Sequence, residues 1–145
     1  MSIIEYKHDG YLISTDKSKL DLFIIHQYLS QESYWAQGRS LDTVRKSIDH
    51  SLCFGVYVDD EQIGFARVVT DYVTFAWLAD VFILELYRGR GLSKWLVECI
   101  VTHSDLQNLK NFLLATKDAH DLYRRHGGFE LLEKPERWMI RVGKT

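Results

Sequence analysis

Between Asp80 and Ile100 the chain reads DVFILELYRGRGLSKWLVECI, an apolar strand that runs through a basic, glycine-paired turn into an amphipathic helix. The run from Val81 to Leu84 is unbroken and apolar, as in a buried strand, while Leu92, Trp95, Leu96, Cys99 and Ile100 recur at helical spacing. Between them lies Arg88-Gly89-Arg90-Gly91. Two glycines let backbone approach a ligand closely, and a helix starting there aims unpaired N–H groups and a positive dipole end outward. An anion, above all a phosphate, suits that end. The competing reading is a plain strand-to-helix turn with solvated arginines, and the glycine pattern alone leaves both open.

A chain of 145 residues is most simply one domain, residues 1–145, long enough to bury a core. Its apolar share of 46% and its single proline, Pro135, exclude a proline-rich linker or a largely disordered chain. A net charge of -2 with scattered basic residues argues against nucleic acid as a partner. Cys53 and Cys99 lie in apolar segments without metal-ligand spacing, so buried reduced thiols and no metal are expected. No stretch approaches the roughly 18 apolar residues of a membrane span, which predicts a cytoplasmic protein without a membrane partner.

In chain order, Ile3 to Ser14 reads as a strand pair turning at His8-Asp9-Gly10. Thr15 or Asp16 then caps a helix with Leu20, Phe23, Ile24, Gln27 and Tyr28 on its inner stripe. Ser30 to Arg39 is a loop whose Tyr34 and Trp35 either line a ligand or cover the core. Ser40 caps a second helix with Val44 and Ile48 inward. From Leu52 the period shortens to that of strands: LCFGVYV, IGFARVV and TFAWLADVFIL form a meander feeding the glycine turn. Past the helix, NFLLAT makes a strand-helix-strand crossover and hence a parallel neighbour. Asp118 caps a short helix closed by Gly127-Gly128, and FELL and WMIRV are read as two last strands. The fold class is α/β (α+β), with a mixed, mostly antiparallel sheet.

These residues resemble the GNAT superfamily of acyl-CoA-dependent N-acyltransferases over nearly the whole chain. The family's central signature is Arg or Gln, two residues, Gly, one residue, then Gly or Ala, between a strand and a helix. Here it is Arg88-Gly89-Arg90-Gly91-Leu92-Ser93, departing only at Ser93, whose hydroxyl alters the ligand path slightly. A second signature, a short helix with a Leu-Tyr pair followed by Gly-Phe, is matched by Leu122-Tyr123 and Gly128-Phe129. The resemblance implies a sheet splayed beside the turn, flanked by about four helices, with acetyl-CoA in the split. On that reading its diphosphate meets the backbone of Gly89 to Ser93, and its pantetheine arm pairs with Val81, Phe82 and Ile83.

The implied chemistry is attack of a primary amine, on a small molecule or a peptide, on the thioester carbonyl within a ternary complex. Tyr123 stands where the family keeps a general acid. A phenol near pKa ~10 is a usable donor to a thiolate near ~8.5, and plain ring packing is the alternative. Asp80 is the candidate base, a carboxylate in apolar WLADVFIL whose alternation groups it with Leu78 and Phe82. The alternative is an Asp80 paired with an arginine or histidine for structural reasons; Glu85, His120 and His126 are further base candidates. Tyr34, Trp35, Arg39 and Trp138 are the candidate acceptor lining. A non-catalytic acyl-CoA sensor remains the competing function, and either is compatible with a homodimer.

Overall fold

The structure, a computed structural model, describes residues 2–143, leaving Met1, Lys144 and Thr145 outside the described residues. Six strands form one sheet in sequence order: β1 (Glu5–His8), β2 (Tyr11–Ser14), β3 (Leu52–Val58), β4 (Glu61–Thr70), β5 (Phe75–Ile83) and β6 (Asn111–Leu114). Neighbours are antiparallel except β5 and β6, which the crossover makes parallel. The β3–β4 connection is a two-residue turn, with Asp59 and Asp60 at φ values of +49° and +65°. The strands read from period and composition are thus present through β6.

Four helices flank the sheet: α1 (Leu22–Gln27), α2 (Leu41–Asp49), α3 (Leu92–Thr102) and α4 (His120–Gly127). On one face Leu92, Leu96, Val97 and Ile100 of α3 and Tyr123 of α4 close over Phe54, Val56, Ala66 and Leu78. On the other, Ile25 of α1 and Val44 and Ile48 of α2 close over Cys53, Phe65 and Phe82. Burying large side chains such as Phe54 and Phe65 fully contributes about 1.5–3 kcal/mol each.

Several expectations need correction. The first helix does not start at Thr15 or Asp16. Asp16 caps only a short 3-10 turn (Lys17–Lys19), and Asp21 opens α1 by accepting from the N–H groups of Phe23 and Ile24 at 3.1 and 3.2 Å. The later start rotates the stripe: Ile25, Tyr28 and Leu29 are buried, whereas Phe23 is 73% exposed. A π-turn (Tyr28–Glu32) extends α1 into the expected loop. For α4, Asp118 makes no cap; Thr116 Oγ1 accepts from the Ala119 N–H at 3.1 Å.

The two final strands are absent. After α4, residues 128–143 are irregular apart from a 3-10 turn (Pro135–Arg137), and Leu131, Met139, Ile140 and Val142 stand exposed. Strand-like composition makes a strand only where the backbone pairs, and within the described residues this segment pairs with no strand, although the edge strand β6 lies beside it.

Candidate active site

β5 and β6 share register only from Phe75↔Asn111 to Leu78↔Leu114. Beyond Leu78, β5 continues to Ile83 with no partner on that side among the described residues, so the sheet splays open along Ala79–Ile83. At its far end the chain passes a 3-10 turn (Glu85–Tyr87) and the RGRG turn into α3. Gly89 and Gly91 take φ values of +79° and +77°, a left-handed conformation that costs a side-chain-bearing residue roughly 1–2 kcal/mol. Gly91 is the N-cap and offers no side chain to the helix, whose first backbone bond is Trp95 N–H to Gly91 O at 3.1 Å. The N–H groups of Leu92, Ser93 and Lys94 are therefore free of helical partners and point out of the N-terminus.

The turn's arginines are not simply solvated. Arg88 donates from Nε to Ile83 O at 3.0 Å and from Nη2 to Tyr28 Oη at 2.8 Å. It ties the strand end to α1, where the Tyr28 ring stacks on Phe82 at 4.0 Å. Arg90 donates to Tyr11 Oη at 2.9 Å and lies over the Tyr87 ring. Both side chains hold the turn in shape, and backbone N–H groups are the donors left free at the helix start.

Asp80 sits at φ +54°, in a bulge where Phe65↔Phe82 and Arg67↔Ala79 leave two β5 residues opposite Ala66. A bulge inverts alternation. Leu78 faces α3 and Phe82 faces α1 and α2, which corrects the expectation that Leu78, Asp80 and Phe82 share a face. The Asp80 side chain is 2% exposed. Its Oδ1 accepts from Trp35 Nε1 at 2.8 Å, and its Oδ2 accepts from Arg39 Nη1 at 2.8 Å and Arg67 Nε at 2.9 Å. Arg67 also donates to Ser51 Oγ at 3.1 Å. Of the two roles open for Asp80, these contacts are those of the ion-paired one.

A cleft of about 460 Å³ opens at the splay, lined by Tyr34, Trp35, Arg39, Arg67, Asp80 and Val81 on one side and by Thr116, Lys117 and Tyr123 on the other. Tyr34 accepts from the Lys117 N–H at 2.9 Å and packs edge-on to Trp35. Tyr123 is 9% exposed, and burial pushes its phenol up to about 12. Trp138 lies outside this cleft, beside Asn111 and Lys134. Of the other base candidates, His126 pairs with Glu98 at 3.3 Å, and neither it, Glu85 nor His120 lines the cleft. Arg67, Thr116 and Lys117 are lining residues that sequence reasoning missed; for Arg67 a lone charge in the apolar run GFARVV was the available signal.

The family model for acetyltransferases of the GNAT family matches residues 22–129, which span the splay, the turn and α4. The chain belongs to the GNAT family of acetyltransferases. A protein of Gibberella zeae named as an acetyltransferase is 30% identical over 142 residues, 83% of this chain and 79% of its own length. A crystal structure of a GNAT-family protein from Xanthomonas campestris pv. campestris superposes with a TM-score of 0.90 at 49% identity, covering 94% of this chain and 96% of that one. A more distant GNAT-family acetyltransferase from Elizabethkingia anophelis, solved with acetyl-CoA bound, shares the fold at TM-score 0.60 and 14% identity, over 83% of this chain and 76% of that one. As in the Xanthomonas GNAT structure, the sheet of this acetyltransferase is mixed and mostly antiparallel.

Proposed function

We propose that residues 1–145 act as one N-acetyltransferase domain that moves an acetyl group from acetyl-CoA to a primary amine of a small molecule or a peptide, by direct attack in a ternary complex. The observation that carries this reading is the open edge of β5 from Ala79 to Ile83 running into the uncapped N-terminus of α3. That edge suits the amide-bearing pantetheine arm at Val81, Phe82 and Ile83, as an added strand would. The N–H groups from Gly89 to Ser93 suit the diphosphate, through bare donors and the helix dipole. Ser93 lies in the first turn of α3, so its hydroxyl adds a donor without covering the backbone.

Acetyl-CoA supplies an activated thioester. Tyr34, Trp35 and Arg39 form the acceptor side of the cleft, and the aromatic faces suit an ammonium group on approach. Arg39 uses a single N–H on Asp80, which leaves the rest of its guanidinium for an acceptor carbonyl or carboxylate. Asp80 acts as a positioning residue, holding Trp35, Arg39 and Arg67 in one geometry, while the amine's proton passes to water. Both cysteines lie outside the cleft with thiols pushed up by burial, Cys53 to about 12 and Cys99 to about 11, so neither offers a thiolate for an acyl-enzyme.

Tyr123 donates to the departing sulfur. Its raised pKa keeps the phenol protonated far above neutrality and makes it a hydrogen-bond donor more than a full proton donor. Removing one such donor costs about 10²-fold in kcat. Mixing the protein with acetyl-CoA and a panel of amines is expected to release free thiol. Tyr123→Phe is expected to lower kcat by that factor without changing acetyl-CoA affinity, and its phenol gives the parent no alkaline fall in kcat until pH nears about 12. Undiminished release by Tyr123→Phe would remove the donor assignment; stabilisation by acetyl-CoA with no thiol release on any amine would remove the transferase reading.

A further inference from the structure

Two guanidiniums in the cleft share one carboxylate. Arg39 Nη1 and Arg67 Nε both donate to Asp80 Oδ2, at 2.8 and 2.9 Å, and neither arginine pairs with another carboxylate among the described residues. Their side chains are 23% and 15% exposed, so the second positive charge is held largely out of water without a protein counter-ion. Lys117 and Asp118, adjacent in the chain on the opposite wall, offset each other in charge. The surplus therefore sits at Arg39 and Arg67.

Of these two, Arg39 has the free donors. Arg67 engages Asp80 through Nε and Ser51 through Nη1, whereas Arg39 engages Asp80 through Nη1 and keeps Nε and Nη2 without a protein acceptor among the described residues. Its backbone is anchored as well: the Arg39 N–H donates to Ala36 O at 3.0 Å, the Gly38 N–H donates to Ser30 O at 3.1 Å, and the next residue, Ser40, caps α2. A guanidinium with adjacent free donors on a fixed backbone is a fork shaped for a carboxylate. It stands in the same cleft as Trp35 and Tyr123, whose volume of about 460 Å³ is that of a small-ligand site.

We propose that the acceptor is a small amino acid, an amine that also bears a free carboxylate, and that Arg39 is the specificity-determining residue that seats this carboxylate. That the ligand's other group is an amine rests on the proposed function; the carboxylate seat rests on the surplus charge. A carboxylate supplies the counter-ion that Asp80 alone does not, whereas a polyamine would add positive charge where it is already in excess.

Calorimetry in the presence of CoA, with a panel of L-amino acids and their carboxamides, tests this. Each amide keeps the amine and the side chain of its acid and lacks the negative charge. The acids are expected to bind at least about tenfold more tightly than the matching amides, the scale of a hydrogen bond to a charged group, and Arg39→Gln is expected to bring that ratio to about one. The parent's ratio is read without any variant, and Arg39→Lys, which keeps the charge without the fork, is expected to retain part of it. Amides that bind as tightly as the acids, acids that do not bind, or a preference untouched by Arg39→Gln in a protein of unchanged circular dichroism would overturn the proposal. Acids that bind preferentially yet release no thiol from acetyl-CoA would support the carboxylate seat and overturn the transferase reading. Thiol release on a polyamine and on no amino acid would do the reverse.

Discussion

The residue that decides how the cleft is built is Asp80. An aspartate at positive φ is among the few non-glycine residues that tolerate that conformation, and the bulge it occupies turns its carboxylate toward Arg39 and Arg67 instead of into the core. Two guanidiniums bond Oδ2 and an indole N–H bonds Oδ1, so both oxygens already have protein partners. Removing one partner of a buried ion pair strands the others. Asp80→Asn keeps the shape but not the charge, and is expected to cost about 3 kcal/mol in urea unfolding and to raise KM for the amine more than it lowers kcat. A loss below about 1 kcal/mol, the range of exposed pairs, would mean that the clamp holds nothing together. Asp80 was visible in the sequence as a lone carboxylate among apolar residues, and pairing with an arginine was one of its two readings. Its partner Arg67 was not, because the contact depends on a bulge, and period-two reasoning carries no information about an extra residue in one strand.

At the scale of elements, the strand-turn-helix from Phe75 to Thr102 is the part to which the proposed function assigns acetyl-CoA. Gly91→Val puts a β-branched residue at φ +77°, where the turn must either strain or reopen. Its expected effect is a Kd for acetyl-CoA at least about tenfold higher, near 1.4 kcal/mol by calorimetry, with a smaller change in global stability. Binding as tight as the parent's would remove the turn from the ligand path. This element was legible because its signals are local: an apolar run, paired glycines, then a helical stripe. The same holds for the β3–β4 hairpin and for α2 under Ser40. Where two local signals competed, sequence reasoning failed. Asp16 and Asp21 are both good caps, only Asp21 opens the α-helix, and the five-residue difference changed which side of α1 faces the sheet. The last strands failed for a different reason, since residues 138–142 have strand composition but pair with no strand among the described residues.

For the whole molecule, the two helical layers fix the sheet on both faces, and the splay between β5 and β6 opens it at the cleft that holds Asp80 and Tyr123. Val81 of β5 lines that opening on one side, and α4, which follows β6, sets Tyr123 on the other. Its cleft holds an aromatic-lined acceptor side and a phenol, and no thiol. The proposed direct attack requires both substrates to be present together, and that is the central claim. Initial velocities of thiol release, measured over a grid of acetyl-CoA and amine concentrations, test it most directly. Intersecting double-reciprocal lines and an enzyme of unchanged mass after incubation with acetyl-CoA alone are the predicted result; parallel lines with an acetylated enzyme would contradict it.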